Sequence, residues 1–270
     1  MIAVEARGRL GNLMFQWAFA EAAAEGLRTR FAMDPTGLAG LFTLNGYNAP
    51  LRRASRLLAL RAKGGMMGFP AVEIDNDDDP AVALATLRDG VRYGGYFQSE
   101  RYFAGAAERV RSALTLHARH RTAFAERYGD LQRSGYVCVH ARRGDYKEWR
   151  GGVALPWSYA RDAIGRLGDT GLPLVFISDE IAEVREEFGD LPGARFETND
   201  VALDLQLLVN ASHVVLSNSS FSWWGGWLGG AAGRRVLAPR DWVGFREGRE
   251  WPRDVIPAGW EQVPVQDGAS

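Results

Sequence analysis

The chain has 270 residues, which is enough for one large α/β domain or two smaller ones with separate hydrophobic cores. Apolar residues make up 46% and charged residues 24%, as in ordinary globular proteins, and the net charge of −1 argues against a nucleic-acid-binding protein. The single cysteine, Cys138, excludes an internal disulfide and favours a reducing compartment.

Neither a membrane span nor a signal peptide is evident in the sequence. No stretch approaches the ~18 uninterrupted apolar residues that a spanning helix needs. The N-terminus "MIAVEARGRLGN" lacks the basic and then apolar pattern of a signal peptide. We therefore expect a cytoplasmic protein; peripheral contact with the inner membrane and the oligomeric state stay open.

The first predicted elements are a strand and a helix joined by a glycine-containing turn. A short apolar run, "IAV", is followed by Gly8 and Gly11, and then by a helix with Asn12 as its predicted N-cap and Gly26 as its predicted end. A strand that leads through a glycine turn into a helix is typical of the first unit of an α/β layer fold.

The segment from Asp34 to about Leu87 has no clear periodicity. Its acidic run begins at Asp75 and does not fit a calcium loop, because Pro80 stands where the turn needs glycine and Thr86 where the bidentate glutamate belongs. We interpret the acidic run as a solvated loop.

One long helical stretch is predicted next, with Ser99 as its cap, over "SERYFAGAAERVRSALTLHARHRTAFAERYG". His117 and His120 lie one helical turn apart within it, which would suit a metal ion. No third ligand is near them in the sequence, so we prefer a helix surface.

After Gly135 the pattern alternates between strand and helix. Three apolar runs end abruptly in polar residues: "YVCVH" before "ARRGD", "LPLVFI" before "SDE", and "HVVL" before "SNSS". The segments "SYARDAIGRLGDTG" and "ALDLQLLVNA" between them are typical of helices, and continuous apolar runs are typical of parallel strands buried on both faces. The sequence thus predicts a two-lobed α/β protein with lobes at residues 1–130 and 131–270.

Polar side chains that could bind an anion follow the three strands. Ligands of open parallel sheets bind beyond the carboxyl ends of the strands. Two guanidinium groups there offer bidentate donors to phosphate oxygens, and small hydroxyls with a helix N-terminus add further donors. We expect a nucleotide-diphosphate site. Its candidates are Arg142, Arg143, Asp145, Ser178, Asp179, Glu180, Asn218, Ser219, Ser220 and Ser222.

The tripeptide Arg143-Gly144-Asp145 also suggests an adhesion ligand. That function needs an exposed hairpin tip in a secreted protein, whereas here a buried strand precedes the tripeptide, so we favour the enzyme. The sequence contains neither G-x-x-x-x-G-K-[ST] nor a G-x-G-x-x-G after the first strand, which argues against a P-loop NTPase and a dinucleotide-binding motif.

Five blocks resemble the α-1,2-fucosyltransferases of glycosyltransferase family 11. They are "GRLGNLMFQWAFA", "GYFQSERYF", "HARRGDY", "FISDE" and "NSSFSWWGGWL", in family order over most of the chain. The resemblance implies a GT-B-like fold of two Rossmann-like lobes with the donor in a cleft between them. It also implies GDP-fucose as donor, inversion at the anomeric carbon and no metal or other cofactor.

The resemblance implies roles for individual residues. Arg142 would stabilise the charge that develops on the diphosphate, and Asp145 is our candidate for the base, ahead of Glu148 and Glu180. Asp145 could instead pair with Arg143 and organise the loop, or a dissociative transition state could make a protein base unnecessary. The donor-binding residues would be His140, Arg143, Ser178, Asp179, Glu180, Asn218, Ser219, Ser220, Phe221, Ser222, Gly11 and Asn12.

Some residues depart from the family pattern or have a simpler structural interpretation. Leu13 stands where the family has glutamine, Trp17 where it has tyrosine, and Glu180 where it has a second aspartate. Because Leu13 and Trp17 are four residues apart, they share a helix face. His140 could equally be a structural core residue or a residue of the donor pocket. We expect Trp223, Trp224, Trp227 and Cys138 to be packed in the core.

The predicted reaction is the inverting transfer of L-fucose from GDP-fucose to an acceptor glycan, at the 2-hydroxyl of a terminal galactose. Two alternatives remain: another GDP-sugar-dependent transferase of the same architecture, and an inactive carbohydrate-binding protein on this scaffold. We expect no nucleic-acid partner.

Overall fold

The computed structural model describes residues 1–47 and 68–266, which form two compact units. The first unit comprises residues 1–117 and the short segment Trp251–Val255; the second comprises residues 118–250 and the segment that starts at Ile256. The unpatterned segment between Asp34 and Leu87 lies partly outside the described residues, since 48–67 are not among them.

The first unit is built on a parallel sheet of four short strands. Their order across the sheet is β2-β1-β4-β3, and each neighbouring pair is parallel. The crossover from the first strand to the second runs through a helix, as the opening strand–turn–helix pattern predicts. The strands are β1 Ile2–Val4, β2 Phe31–Ala32, β3 Ala71–Glu73 and β4 Arg92–Gly94.

The helices of the first unit start with the one predicted from the glycine turn. Gly8 has φ of +79°, a conformation that glycine adopts without strain. The helix begins at Leu10 with Arg9 at the N-cap position, so Asn12 is inside the first turn and not its cap; Gly26 is its last residue, as predicted. The helices are α1 Leu10–Gly26, α2 Thr36–Ala39, α3 Pro80–Ala85 and α4 Ala107–Ala113.

The long helix predicted from Ser99 is interrupted. Ser99 caps a 3₁₀ turn at Glu100–Tyr102 by accepting from the backbone N–H of Arg101 (3.2 Å). The chain later leaves the helical conformation around Leu116, which forms an antiparallel bridge with Phe42. The prediction of one continuous helix was wrong because backbone pairing with a distant segment replaces the local hydrogen bonds.

The second unit contains a larger parallel sheet. The three predicted strands appear as β5, β6 and β8, and the order of the sheet is β10-β9-β8-β5-β6-β7. All neighbours are parallel. The strands are β5 Val137–Ala141, β6 Leu174–Ser178, β7 Arg195–Glu197, β8 His213–Val215, β9 Val236–Pro239 and β10 Glu261–Val263.

The described part of the second unit contains five α-helices. Two of them, α6 and α8, confirm the helices predicted between the strands, and α9 follows the "SNSS" segment. They are α5 Ala118–Ser134, α6 Trp157–Leu167, α7 Ile181–Phe188, α8 Val201–Asn210 and α9 Ser220–Leu228.

The boundary between the units lies between His117 and Ala118, whereas the sequence suggested residue 130, which falls inside α5. The apolar face of α5, formed by Phe124, Tyr128 and Leu131, packs in one cluster with Leu207 and Leu208 of α8. Burial of this face attaches the whole helix to the second unit.

The tryptophans and the cysteine that we expected to be packed lie in the core of the second unit. Trp223 and Trp224 are fully buried, Trp227 nearly so, and Cys138 is inaccessible in the middle of β5. These interpretations are confirmed. Among the residues that the structure describes, no helix combines the length and the apolar character needed to cross a bilayer.

Candidate active site

The carboxyl ends of β5, β6 and β8 meet at one edge of the second sheet. The register aligns Ala141 of β5 with Ser178 of β6, and Val139 with Val215 of β8. Parallel pairing therefore places the segments that start at Arg142, Asp179 and Leu216 side by side. This is the edge where the sequence predicted the anion-binding residues.

Arg142 is held by two carboxylates. Its Nη2 donates to Oδ1 of Asp145 (2.5 Å), and its Nη1 lies 3.2 Å from Oδ2 of Asp179. The side chain is 19% exposed, and its guanidinium lies 5.5 Å from the ring centre of Tyr146. Two anions and an aromatic ring thus fix a cation at the strand ends, while its remaining N–H groups are left for other acceptors.

Asp145 pairs with Arg142, and not with Arg143 as the alternative interpretation expected. Its side chain is 47% exposed, so solvent and small molecules can reach it. The contact is compatible both with a base next to the reacting groups and with an organiser of the loop.

Arg143 points into a different environment. Its Nη1 donates to the carbonyl oxygen of Leu155 (2.7 Å), and its guanidinium stacks 4.1 Å above the ring of Trp157. Its Nε lies 3.5 Å from a carboxylate oxygen of Glu183, which is an ion-pair distance without hydrogen-bond geometry. These contacts fix the loop from beneath; a direct role in donor binding stays a prediction.

Asp179 links the ends of β5 and β6. Its Oδ1 accepts from the backbone N–H of Arg143 (2.9 Å) while Oδ2 faces Arg142. Gly144 is packed against it so closely that a Cβ at this position would lie 2.5 Å from Oδ2 of Asp179. A side chain at position 144 would therefore displace the carboxylate of Asp179, and the Arg-Gly-Asp tripeptide belongs to a packed loop.

His140 is buried at the end of β5 and contacts the "SNSS" segment. Its Nδ1 lies 2.8 Å from the hydroxyl of Ser217, and its ring centre 5.8 Å from that of Phe221. Burial lowers the pKa of His140 to about 4, against the opposing effect of the Asp179 charge. The imidazole is therefore neutral at physiological pH, and Ser217 is a partner that the sequence pattern did not indicate.

The N-terminus of α9 supplies backbone donors at the same edge. Ser219 is its N-cap and accepts from the backbone N–H of Phe221 (3.3 Å). The hydroxyl of Ser222 lies 3.0 Å from the carbonyl oxygens of Ser217 and Ser219 and is completely buried. Ser222 therefore supports the helix start, whereas Ser220, its first residue, is partly accessible.

Asn218 is buried and only half satisfied. Its Nδ2 donates to the carbonyl oxygen of Val153 (2.8 Å), and its Oδ1 has no hydrogen-bond partner among the described residues. The hydroxyl of Tyr146 lies 3.5 Å from the Asn218 carbonyl oxygen, and burial raises the pKa of Tyr146 to about 12. Asn218 thereby ties the loop after β5 to the end of β8.

The remaining predicted residues of this edge are near the start of α7. The hydroxyl of Ser178 accepts from the backbone N–H of Glu180 (3.0 Å), and Glu180 occupies the N-cap position of α7 with an exposed side chain. Glu183, which the sequence did not single out, pairs with Lys147; this hydrogen bond is the main reason that the pKa of Glu183 is lowered.

Two predicted donor-binding residues belong to the first unit. Gly11 is buried in the first turn of α1, and Asn12 accepts from Nε2 of Gln98 (2.7 Å). Their role in donor binding stays a prediction. Trp17, one of the departures from the family pattern, is fully buried and lies edge-on to Phe31 and Tyr47, with ring centres 5.1 and 4.7 Å away.

A partly buried carboxyl, that of Asp204 on α8, lies near the end of β7. Asp204 accepts from Nδ2 of Asn199 (3.0 Å), and burial raises its pKa to about 6. Neither residue stood out in the sequence, since "ALDLQLLVNA" indicates only an amphipathic helix.

The site combines a fixed cation, a helix N-terminus and accessible carboxylates. Within the described ranges, 1–47 and 68–266, no group of three or more histidine, cysteine, aspartate or glutamate side chains could hold a metal ion. The arrangement can bind an anionic leaving group through Arg142 and the first N–H groups of α9, and can offer Asp145 as a proton acceptor.

Residues 90–246, which include this whole edge of the second sheet, match the family model described as Glycosyl transferase family 11. The chain belongs to this family. It is therefore a glycosyltransferase, and the resemblance seen in the five sequence blocks is confirmed.

Two curated relatives extend the similarity beyond the matched region. The chain is 25% identical over 283 residues to an alpha-1,2-colitosyltransferase of Escherichia coli, covering 95% of this chain and 96% of the relative. It is 27% identical over 248 residues to the galactoside 2-alpha-L-fucosyltransferase Sec1 of Mus musculus, covering 85% of this chain and 65% of the relative.

The fold of this glycosyltransferase is shared with solved fucosyltransferases. The crystal structure of NodZ from Bradyrhizobium aligns with a TM-score of 0.54 at 12% identity, covering 84% of this chain and 92% of NodZ. The similarity confirms the GT-B-like class, with two Rossmann-like lobes that correspond to the two parallel sheets.

Proposed function

We propose that this family 11 enzyme transfers L-fucose from GDP-fucose to the 2-hydroxyl of a terminal galactose on a glycan, with inversion at the anomeric carbon. The observation that carries the proposal is the placement of Arg142 and the start of α9 at the same carboxyl edge of a parallel sheet. Membership of the family and the name of the mouse relative support fucose as the transferred sugar. NodZ, which shares the fold, is named an alpha-1,6-fucosyltransferase, and one of its crystals was soaked with GDP-fucose.

The leaving group determines what the site must do. Cleavage of the bond between the sugar and the diphosphate leaves the electron pair, and a growing negative charge, on the GDP oxygen. Preorganised donors aimed at such a charge lower the barrier more than tight binding of the sugar does. Arg142 is already oriented by Asp145 and Asp179, so little reorganisation of the cation is needed when the charge develops.

The proton of the acceptor hydroxyl has to leave on the opposite face. Asp145 is the proposed acceptor of that proton, because its carboxylate is half exposed and one hydrogen bond away from Arg142. In this assignment the same ion pair orients both groups. The reaction takes place in the cytoplasm in this proposal.

One observation supports an alternative donor. The E. coli relative that aligns over 95% of the chain is named a colitosyltransferase. Colitose lacks a hydroxyl that fucose carries, and a site built to hydrogen-bond that hydroxyl would discriminate strongly between the two sugars. GDP-colitose is therefore the alternative donor with the same acceptor position. The other alternative is an inactive carbohydrate-binding protein. In such a protein the ion pairs of Arg142 with Asp145 and Asp179 would have only a structural role.

The proposal is tested in two steps with purified protein. GDP should raise the melting temperature and UDP should not, since binding to the native state stabilises it by mass action. An array of glycans is then incubated with GDP-fucose or GDP-colitose, and the products are identified by mass spectrometry and the linkage by NMR. Stabilisation by UDP alone, or transfer to no galactoside from either donor, would refute the proposed reaction.

A further inference from the structure

Trp149 is an exposed tryptophan on the loop that carries Arg142 and Asp145. It is 42% exposed and belongs to a small group of large apolar side chains that are exposed in the described part of the chain. Its ring centre lies 5.4 Å from that of Tyr146, whose ring in turn lies 5.5 Å from the Arg142 guanidinium. Trp149 therefore stands one aromatic ring away from the proposed phosphate-binding cation.

The turn that presents Trp149 is fixed and not a loose surface loop. Arg150 has φ of +52°, an unfavourable conformation for a residue with a side chain, and the two following glycines also have positive φ. Arg246 donates to the carbonyl oxygen of Gly151 (3.1 Å), and the backbone N–H groups of Val153 and Ala154 both donate to the Tyr146 carbonyl oxygen (2.8 and 3.0 Å). Backbone strain of this kind persists only where the surrounding contacts maintain it.

Two carboxylates precede the exposed ring on the same loop. Asp145 and Glu148 precede Trp149 on the same loop, and both are exposed. A flat apolar ring beside hydrogen-bond acceptors matches a hexopyranose, which has one face of C–H groups and a rim of hydroxyls. The chemistry of this loop therefore favours a sugar as the occupant.

The direction of the reaction indicates which sugar this is. In a nucleoside-diphosphate sugar the nucleoside and the transferred sugar are attached to opposite ends of the diphosphate. The acceptor must approach the anomeric carbon on the side of the base, and Asp145 is four residues before Trp149. The nucleobase extends from the other end of the diphosphate.

We propose that Trp149 is the stacking platform for the acceptor hexose and a determinant of acceptor specificity. The ring would bind the apolar face of a galactopyranose, and the adjacent carboxylates would accept from its hydroxyls. The inference rests on the proposed function, since it presumes a sugar acceptor and a GDP-linked donor.

The test compares three substitutions at Trp149 with one matched control. W149F keeps an aromatic face, W149L keeps apolar bulk without a flat ring, and W149A removes both. V201A is the control, because Val201 is 43% exposed and lies on α8, away from this loop in the chain. Melting temperature, GDP dissociation constant, GDP-fucose hydrolysis without acceptor, and the KM and kcat for transfer to lactose are measured for each.

We expect W149A and W149L to raise the acceptor KM about tenfold, which corresponds to about 1.4 kcal/mol. W149F and V201A should stay close to wild type, and none of the four should change GDP affinity or hydrolysis. Weakened GDP binding with an unchanged acceptor KM would overturn the inference and place the nucleobase on the ring. Equal acceptor KM values in W149A, W149L and wild type would also overturn it. Failure of the proposed function is distinguished by the wild type alone, which would then bind no GDP or transfer no sugar to a galactoside.

Discussion

Arg142 connects the sequence pattern to the chemistry at the level of a single side chain. Its position directly after a buried strand made its location at the carboxyl edge of the sheet predictable, which is where parallel sheets bind ligands. Its two carboxylate partners were not predictable, since Asp145 and Asp179 come from different loops that only the sheet register brings together.

Replacing Arg142 by lysine should abolish most of the activity. Lysine keeps the charge but not the planar fork that contacts Asp145 and Asp179 and that, in the proposed function, also donates to a phosphate oxygen. We expect kcat to fall by about 10²–10³, the usual loss for one preorganised donor. Steady-state kinetics of Arg142→Lys measure this directly, and a variant that keeps nearly the full wild-type kcat would show that Arg142 does not act on the leaving group.

Asp145 as base makes a separate prediction. Asp145→Asn should bind GDP almost as tightly as wild type, while the transfer rate collapses and the acidic limb of the pH–rate profile disappears. Calorimetric titration with GDP and a pH series of initial rates provide the two readouts. If GDP affinity decreases in parallel with the rate, Asp145 acts through the position of Arg142, and the base must be sought elsewhere.

Because of Asp204, the free energy of unfolding should decrease as the pH rises from about 4 to about 6. Its pKa in the folded protein is about 6, above the value near 4 of an unfolded chain, so the folded state holds the extra proton between these values. The stabilisation that protonated Asp204 gives to the folded state is therefore fully present below about pH 4 and is lost as the pH rises through about 6. His140, whose folded pKa is lowered to about 4, has the opposite effect: its contribution is present above about pH 6.5 and is lost as the pH falls towards 4.

Asp204→Asn isolates the first of these effects. The amide keeps the size of the side chain and can still accept from Asn199. Without nucleotide at pH 7, the variant should be more stable than wild type, on the order of 2 kcal/mol. Denaturant unfolding of both proteins from pH 4 to pH 8 gives the difference curve; a difference that does not change across this range would contradict the pKa assignment.

The predictability of whole elements depended on where their hydrogen bonds lie. The runs "YVCVH" and "LPLVFI" identified β5 and β6 because strands buried on both faces need continuous apolar sequence. The long helix after Ser99 was predicted wrongly, since pairing of Leu116 with Phe42 cannot be seen in a local pattern. The same limit applies to the site: Ser217 and Glu183 became visible as partners only through contacts between elements.

The end of α8 depends on one arginine, which makes a prediction at the level of the element. Arg234 donates to the carbonyl oxygens of Leu208 (2.7 Å), Val209 (2.6 Å) and Gly225 (2.9 Å), and burial lowers its pKa to about 10. Arg234→Met leaves three carbonyls without their charged donor. We expect a loss of at least about 3 kcal/mol of unfolding free energy.

The neighbouring residue provides the control for this substitution. Arg235 pairs with Glu261 through a partly exposed contact, so Arg235→Met should cost about 1 kcal/mol or less. Chemical denaturation of both variants compares the two values. If Arg234→Met lowers the unfolding free energy by no more than Arg235→Met does, the three carbonyl oxygens find other donors and the prediction is wrong.

The whole molecule shows which parts of the sequence were informative. The blocks that carry the family resemblance predicted two α/β lobes and the edge of the second sheet that forms the site. They did not locate the boundary, because α5 looks like the continuation of the preceding segment until its burial against α8 is known. They also did not reveal the surroundings of departures such as Trp17, which packs against Phe31 and Tyr47 and whose environment is set by packing and not by a motif.

The enzyme as a whole should work without a metal ion. In the proposed function a guanidinium and a helix N-terminus take the place of a divalent cation at the diphosphate. Sugar transfer should therefore continue at an unchanged rate in excess EDTA, measured as product formed from GDP-fucose. Complete loss of transfer that added manganese restores would contradict this proposal.

The return of the segment Trp251–Val255 to the first unit has a consequence for synthesis on the ribosome. Arg253 pairs with Asp79 (2.7 Å) and Asp254 with Arg101 (2.5 Å), so this short segment attaches to a unit whose other residues were made more than a hundred positions earlier. The nascent first unit emerges without these two ion pairs and acquires them only after Arg253 and Asp254 have been translated. Its final contacts are therefore made after translation of most of the second unit, although the N-terminus is the first part to leave the ribosome.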